Sequence, residues 1–523
     1  MKLILLFTIL TLNLTTAYSQ DPNIIWQNKI GGEDFDSAYD MSPTSDGGFI
    51  LGGLSFSDAG LDKSEDNIGE EDYWVVKVDA DGQVEWDKTI GGTNRDWLRS
   101  VIQTSDGGFL LGGHSNSDIS GNKTENSIGS WDFWVVKLDS DGNFEWDNTL
   151  GGSDQEFLQE VRETNDGGYI MVGRSDSDAS PDKSEDLIGV TDYWVVKVDA
   201  DGVLEWENTI GGSGFDYPFA IAVLDDGSFV IGGYSSSSDV DKTSPTMGGT
   251  DGWIVKLDEN GIIIWDNSFG ASGDDRVYNM SQTNDGGFII NSWSDSPASG
   301  DKTEDSNSVD YWAVKLDSSA NLEWQNTINA DGLELPYAAL QTSDGGYLLG
   351  GLSRSGIGLD RNDAPNGGDD AWLVKLNASG EKLWDQSIGG SANENIYRMV
   401  NTSDGSLVFF GSSSSPISGD IIEDESGSRD YWIVKYNPVL NVDSFSNDND
   451  LILSPNPTSE FLNIDTSIKG QIEYTIYSVI GKALMSGSLV SGSSLEVGRL
   501  HSGLYILQLT SEDKTISKRF VKQ

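Results

Sequence analysis

The sequence is poor in the residues that most often carry covalent or metal chemistry. It has no cysteine and only two histidines, His114 and His501, among 523 residues. The lack of cysteine excludes disulfides, thiol catalysis, cysteine–zinc sites and the lipidated cysteine of a lipoprotein. Two histidines leave little material for histidine-based metal sites or acid–base catalysis.

Positive charge and long apolar runs are scarce as well. Basic residues number 32 and acidic residues 85, which gives a net charge of −53. Such a field repels nucleic acid and anionic lipid, so we expect no nucleic-acid partner. The one clear apolar run, residues 3–12, is too short to span a bilayer, and we expect no transmembrane segment.

The N-terminal residues have the pattern of a secretory signal peptide. Lys2 precedes the apolar run, and Ala17-Tyr18-Ser19 then supplies the small residues that precede a cleavage site. We expect cleavage after Ser19, which makes residues 1–19 the signal peptide.

Composition changes sharply near the C-terminus. Residues 451–523 hold seven basic and six acidic residues, whereas residues 21–450 hold 24 and 79. A stretch rich in Asn, Asp and Ser, residues 437–450, separates the two parts and has the character of a linker. Short alternating strands with glycine turns predict a small β-sandwich over residues 451–523.

The tail carries motifs in a recognisable order. They are Pro455-Asn456-Pro457, Gly481-Lys482, and Gly503 with Tyr505. In this order at a C-terminus they resemble the type A sorting domain of the bacterial type IX secretion system. The resemblance implies export across the outer membrane by that machinery, usual removal of the tail, and release or anchoring at the cell surface.

The chain between the two ends is one unit written seven times. The Asp of an Asp-Gly turn recurs in steps of 59 or 60 residues, at Asp46, Asp106, Asp166, Asp226, Asp285, Asp344 and Asp404. Two tryptophan columns keep the same period: Trp74, Trp134, Trp194, Trp253, Trp312, Trp372 and Trp432, and Trp26, Trp86, Trp146, Trp206, Trp265, Trp324 and Trp384. A fixed period with no helical pattern inside it indicates a β-repeat architecture.

Each unit has the sequence pattern of four strands, and the two ends of the array indicate how the ring closes. A lone fourth strand, residues 24–30, precedes the first unit, and the last unit stops after its third strand, residues 431–436. The sequence therefore predicts an all-β fold, a seven-bladed β-propeller over residues 20–436 whose N-terminal strand completes the last blade. An open β-solenoid is the alternative. The repeats resemble bacterial β-propeller families that share the Asp-Gly-Gly hairpin and a Gly-x-Ser-x-Ser strand end.

An acidic residue opens the first strand of every unit. The seven are Asp36, Asp96, Glu156, Asp216, Asp275, Glu334 and Glu394. They could rim the channel mouth and hold a cation such as Ca²⁺, which prefers several oxygen ligands. Alternatively, each carboxylate hydrogen-bonds the loop backbone of its own blade, because residues that every blade needs are usually parts of the blade.

A binding site should lie where the repeats differ. Two columns near the predicted loop-bearing face vary in chemistry, and one tryptophan in the long loop of the second unit belongs to no column. Aromatic rings with a few polar groups form platforms for sugar rings or peptide anchors. The ligand-binding candidates are Trp97, His114, Trp131, Arg174 and Trp293.

We therefore expect a monomeric, secreted or surface-displayed propeller that binds a glycan or a protein, with calcium as a possible cofactor. A carbohydrate-active hydrolase or lyase that uses channel carboxylates is a second hypothesis, and a structural adhesion component is a third. The sequence contains no phosphate loop, nucleophile elbow or histidine pair at metal spacing, so a binding role is favoured over an enzymatic one.

Overall fold

The computed structural model describes residues 23–424, 427–437, 451–466, 472–478, 483–500, 503–511 and 515–523. These residues form β-strands joined by turns and loops, and they include no helix that is long and apolar enough to cross a membrane. The predicted signal peptide, residues 1–19, lies outside the described residues, as do positions 438–450 of the predicted linker.

Six consecutive blades are four-stranded antiparallel sheets with strands in chain order. Blades 1 and 2 contain β2 (Asp36–Pro43), β3 (Phe49–Ser55), β4 (Asp72–Val78), β5 (Val84–Ile90), β6 (Asp96–Gln103), β7 (Phe109–Ser115), β8 (Asp132–Leu138) and β9 (Phe144–Leu150). Blades 3 and 4 contain β10 (Glu156–Glu163), β11 (Tyr169–Ser175), β12 (Asp192–Val198), β13 (Leu204–Ile210), β14 (Asp216–Val223), β15 (Phe229–Ser235), β16 (Asp251–Leu257) and β17 (Ile263–Phe269). Blades 5 and 6 contain β18 (Asp275–Gln282), β19 (Phe288–Ser294), β20 (Asp310–Leu316), β21 (Leu322–Ile328), β22 (Glu334–Gln341), β23 (Tyr347–Ser353), β24 (Asp370–Leu376) and β25 (Lys382–Ile388).

The seventh blade joins the two ends of the array. It contains β26 (Arg398–Asn401), β27 (Leu407–Ser413), β28 (Asp430–Tyr436) and, as its fourth strand, the N-terminal β1 (Ile24–Ile30). β1 runs antiparallel to β28, with Ile30 opposite Tyr431 and Gln27 opposite Val434. The predicted seven-bladed propeller with one-strand closure is confirmed.

The junction between the last and first blades repeats the contact found between interior blades. The Tyr431 hydroxyl of blade 7 donates to the Trp74 carbonyl of blade 1 at 2.9 Å. The Tyr73 hydroxyl of blade 1 makes the same bond to Trp134 of blade 2 at 3.0 Å. The rings of these pairs lie 4.7 and 4.8 Å apart. Since the two junctions match, blades 7 and 1 pack on each other as interior blades do, and the ring is closed.

The hydrophobic core lies between neighbouring sheets. One cluster joins Tyr73 and Val75 of blade 1 to Leu98 and Trp134 of blade 2, and all four side chains are fully buried. The tryptophans of the other column lie at the outer strand and reach the next blade: a Cβ on Gly82 would lie 2.5 Å from the Trp26 ring. Both columns are inter-blade packing, as aromatic side chains of this size favour.

The lysine that recurs in the third strand of each blade pairs with the aspartate of the Asp-Gly hairpin. The Asp46 carboxylate accepts the Thr44 hydroxyl at 2.5 Å and the Gly48 amide at 2.9 Å, while Gly47 has φ of 91°. Lys77 from β4 reaches the same carboxylate at 2.9 Å and Glu85 at 2.8 Å. This lysine therefore ties the inner hairpin of the blade to its outer strand.

The C-terminal segment forms two sheets around one core. The first contains β29 (Leu451–Ser454), β30 (Phe461–Thr466) and β33 (Ser493–Glu496). The second contains β31 (Ile472–Ser478), β32 (Ala483–Leu489), β34 (Gly503–Thr510) and β35 (Thr515–Lys522). Leu462 and Ile464 of the first sheet pack with Ile476 and Leu507 of the second, so the predicted small sandwich is confirmed.

Candidate functional site

The first strands of the blades form the wall of the central channel, since each contacts the next in a closed cycle. In blades 1 to 6 this strand has a β-bulge three residues after its opening acid. A bulge interrupts the pairing and re-aims a side chain, which is why bulges are frequent next to binding sites. The bulged residues are Tyr39, Arg99, Gln159, Phe219, Tyr278 and Tyr337, and Tyr397 holds the same position in blade 7.

Most of these side chains form a half-buried arc in the channel, which we call the tyrosine ring. It consists of Phe219, Tyr278, Tyr337, Tyr397 and Tyr39, whose successive centroids lie 4.8, 6.3, 4.8 and 5.7 Å apart. Together with Arg99 and Gln159 they line a cavity of about 220 Å³. Sites for drug-sized ligands measure about 300–1,000 Å³, so this cavity has room for one ring or one side chain.

The floor of the cavity is a charged bridge across the channel. Arg398 of blade 7 donates from Nε to Asp40 of blade 1 at 2.6 Å, and its Nη2 lies 3.5 Å from Glu160 of blade 3. Arg162 pairs with Glu160 as well. Two arginines thus balance two carboxylates, and the bridge divides the tyrosine-ring cavity from a second cavity of about 380 Å³ on its far side.

The sequence-predicted residues of blade 2 lie together on the loop-bearing face, where the loops from second to third strands emerge. The Trp97 ring is 5.3 Å from Trp131, and His114 is 5.6 and 5.4 Å from these two rings. Phe157 of blade 3 lies 4.8 Å from His114 and extends the cluster. The Trp97 indole donates to Glu71 at 2.5 Å, which fixes its orientation.

The cluster continues into blades 3, 4 and 5 through alternating arginines and aromatic rings. Arg174 lies over Phe157 and Tyr217, at 4.3 and 5.0 Å from the ring centroids. Tyr217 stacks on Tyr234 at 5.2 Å. Arg276 then lies 5.3 Å from Tyr234 and 4.8 Å from Trp293. Cation–π contacts of this kind stabilise both partners.

We call this continuous set the aromatic belt. Its members are Trp97, His114, Trp131, Phe157, Arg174, Tyr217, Tyr234, Arg276 and Trp293. The structure therefore brings all five predicted ligand-binding candidates into one cluster on the loop-bearing face. The belt ends at blade 5, because the equivalent first-strand positions in blades 6, 7 and 1 hold Leu335, Asn395 and Ser37.

His114 is predicted to contact a ligand, which requires an exposed side chain, but the structure buries it. It is 2% exposed, beneath Trp97 and Trp131. Burial lowers its pKa well below the usual value, so the imidazole is neutral. His114 supports the tryptophan rings and does not face a ligand.

The seven strand-opening acids are buried and do not meet. Asp36 is 0% exposed and accepts the Gly32 amide at 2.7 Å and the Ser57 hydroxyl at 3.1 Å. Burial raises its pKa to about 6. The same amide bond recurs at 2.7–2.9 Å for Asp96, Glu156, Asp216, Asp275 and Glu394, and Glu334 binds Ser353 at 2.9 Å.

These contacts are the within-blade bonds that the alternative interpretation predicts. In the described part of the chain, no group of three or more His, Asp or Glu side chains is arranged to hold a metal ion. The expected rim of exposed carboxylates is thus absent, because each acid is buried inside its blade. One carboxylate oxygen has no hydrogen-bond partner among the described residues in five of them: Asp36, Asp96, Asp216, Asp275 and Glu334. Calcium binding by these acids stays a prediction without support from this geometry.

The tail places its described motif residues at structural junctions. Asn456 accepts the Val521 amide of the last strand at 2.8 Å. Gly503 begins β34, and buried Tyr505 stacks on Phe520 at 5.7 Å. Pro455 and Pro457 flank Asn456, whereas Gly481 and Lys482 lie outside the described residues.

Residues 453–523 match the family model described as a secretion system C-terminal sorting domain. The resemblance to type IX sorting domains is confirmed. The chain is therefore a secreted or cell-surface β-propeller protein that the type IX secretion system exports.

The chain is similar to proteins of diverse kinds. The regulatory protein FlaEY of Caulobacter vibrioides is 21% identical over 376 residues, which are 66% of this chain and 39% of that protein. The chain thus spans well under half of that relative. A solved protein of unknown function from Dyadobacter fermentans is 12% identical with a TM-score of 0.40, covering 80% of this chain and 100% of the other. The Pan2 WD40 domain of Neurospora crassa is 10% identical with a TM-score of 0.42, covering 81% and 98%.

Sequence reasoning missed the tyrosine ring and the charged floor. The ring column, three residues after each acid, holds aromatic residues in five of seven units. The next column holds Asp40, Glu160 and Arg398 among otherwise small or amide side chains. Both columns vary, so the test that found Trp97 could have found them.

Proposed function

We propose that this exported propeller is a glycan-binding protein whose ligand lies along the aromatic belt. The observation that carries the proposal is asymmetry: aromatic rings and arginines, several of them partly exposed, form a continuous band on the loop-bearing face of blades 2 to 5, while the scaffold columns repeat in all seven blades. Residues that only build blades recur in every blade. A band confined to four blades is better explained by a ligand than by the fold.

The chemistry of the belt suits sugars. The C–H faces of pyranose rings stack on indole and phenol rings, and nearby polar groups bind the hydroxyls. The belt rings are held in place before a ligand arrives, Trp97 by Glu71 and Tyr217 by stacking on Tyr234. Pre-organised rings lose little entropy on binding, which favours affinity.

A glycan array probed with the whole chain tests the proposal, with Trp131→Ala as the variant. Loss of a central aromatic anchor costs about 2 kcal/mol or more, so affinity for the bound glycan should fall roughly thirtyfold. Phe56→Ala is the matched control, because Phe56 is a 41% exposed aromatic residue on the same face, in blade 1 and off the belt. It should leave binding unchanged.

Binding that survives Trp131→Ala, or equal losses in both variants, would contradict the belt as the site. An array without any bound glycan would contradict a glycan ligand and turn the search to protein partners. Parallel arrays with Ca²⁺ and with a chelator test the calcium prediction. Glycan binding that depends on Ca²⁺ held by the strand-opening acids should disappear with the chelator.

We also propose the domain division that the sequence predicts: signal peptide 1–19, propeller 20–436, linker 437–450 and sorting domain 451–523. The composition change after residue 450 and the start of β29 at Leu451 support the last boundary. N-terminal sequencing of the exported protein tests the first, which requires a new N-terminus at Gln20.

A further inference from the structure

Two described arginines near the tyrosine ring, Arg99 and Arg429, have no carboxylate partner, and of these only Arg99 lines the cavity. Four other arginines on this face are paired with carboxylates: Arg95 with Glu70 at 2.8 Å, Arg174 with Asp176 at 3.0 Å, Arg276 with Asp274 at 2.9 Å and Arg354 with Asp369 at 2.5 Å. Arg99 donates to the Gln159 amide oxygen at 3.0 Å and lies 4.5 Å from the Tyr39 ring centroid. Among the described residues, no carboxylate comes within 4.0 Å of it.

The residues that line the tyrosine-ring cavity therefore carry one unbalanced positive charge. At its floor, Arg398 and Arg162 are balanced by Asp40 and Glu160, which leaves the half-buried Arg99 guanidinium on the wall as the excess. The acidic exterior of the propeller opposes an anion at long range. That repulsion is screened beyond about 8 Å at physiological salt, whereas a direct contact is not.

We propose that this cavity binds one uronic-acid ring, a pyranose with a carboxylate, and that Arg99 holds the carboxylate. A guanidinium pairs with a planar carboxylate through two parallel hydrogen bonds. The aromatic rings offer stacking surfaces to the sugar ring, and the tyrosine hydroxyls can donate to or accept from its hydroxyls. The volume of about 220 Å³ fits one ring and not a chain.

The cavity adjoins the aromatic belt, since Phe219 of the ring lies 5.7 Å from Tyr234 of the belt. A glycan on the belt could thus place a terminal or branching acidic unit in the channel. The inference deepens the proposed function and rests on it for the identity of the larger ligand, but the cavity can be tested alone with a monosaccharide.

The test is ligand-observed NMR titration of the whole chain with sodium D-glucuronate, D-glucose and glucose 6-sulfate at physiological salt. Glucuronate should bind about tenfold or more tightly than glucose, the range expected for hydrogen bonds to a charged group. Arg99→Gln should reduce glucuronate binding to the level of glucose. Blade 3 carries Gln159 at the equivalent position, so the repeat tolerates glutamine there. Arg95→Gln, which removes an exposed and paired arginine nearby, is the control and should change nothing.

Equal binding of glucuronate and glucose, or glucuronate binding unaffected by Arg99→Gln, would overturn the inference. Tighter binding of the sulfate ester than of glucuronate would overturn the carboxylate assignment. The two proposals fail separately. If Trp131→Ala abolishes glycan binding while Arg99→Gln has no effect, only the inference falls. If Arg99→Gln abolishes glucuronate binding while the array stays empty, only the belt proposal falls.

Discussion

Replacement of Lys29 tests how much the N-terminal strand β1 stabilises the seventh blade. Lys29 lies in β1 and supplies the buried positive charge that pairs with Asp430 of that blade. In blade 1, the loop residue Lys63 donates to Thr89 of the outer strand at 2.5 Å. In blade 7, Ile421 holds the lysine position and Lys29 holds the threonine position. Both blades therefore have a buried lysine ammonium at this place, which comes from the loop in blade 1 and from the outer strand in blade 7.

The magnitude follows from burial. Lys29 Nζ lies 3.2 Å from the Asp430 carboxylate, and the two side chains are 1% and 0% exposed. Lys29→Thr removes the cation that neutralises a buried carboxylate, which costs about 3–5 kcal/mol of unfolding free energy. Lys88→Thr is the control, since its bridge to Glu65 is 34% and 41% exposed and is worth about 0–1 kcal/mol.

Urea unfolding of the whole chain, followed by tryptophan fluorescence, measures both effects. The double variant Lys29→Thr/Ile421→Lys rebuilds the arrangement of blade 1 and should recover most of the loss. A Lys29→Thr protein within about 1 kcal/mol of the native chain would refute the reasoning from buried pairing. A double variant no more stable than the single one would refute the charge exchange.

Three further predictions concern pH, the channel floor and export. Burial raises the pKa values of Asp36, Asp72, Asp192 and Asp370 to about 6 from about 3.8. The folded state therefore binds protons more tightly than the unfolded state, so the free energy of unfolding should fall as the pH rises from 5 to 7.5. A urea midpoint that stays constant or rises over this range would contradict this. Arg398→Met should cost about 3–5 kcal/mol in urea unfolding because it leaves the buried Asp40 carboxylate without its cation, while Glu160 keeps Arg162. Arg354→Met removes an arginine that is 55% exposed and should cost about 0–1 kcal/mol, and equal costs would contradict the bridge. Deletion of residues 451–523 should leave the propeller inside the cell envelope in a fractionation assay, and normal export of that variant would contradict the role of the tail.

The propeller was predictable because its signals are repeated. Seven copies of an Asp-Gly turn and two tryptophan columns fix the strands of a blade, and a part-unit at each end determines the closure. The aromatic belt was predictable for the opposite reason, since Trp97, Trp131 and Trp293 break the repeat. Variation against a regular background marks positions that the fold does not require.

The channel floor and the closing charge were beyond sequence reasoning. Strict alternation would place Asp40 and Glu160 between blades, but the bulge before them breaks the alternation. Both meet Arg398 in the channel, Asp40 from the adjacent blade and Glu160 from across it. The exchange between Ile421 and Lys29 joins positions at opposite ends of the propeller. Contacts of these kinds depend on how the ring closes and not on local pattern.

The most direct test of the central claim is a crystal structure of the protein soaked with the glycan that binds best on the array. The account predicts sugar rings stacked on Trp131 and the neighbouring belt residues of blades 2 to 5. Ligand density on the loops of blades 6, 7 and 1, or at the Asp-Gly turns on the opposite face, would contradict it.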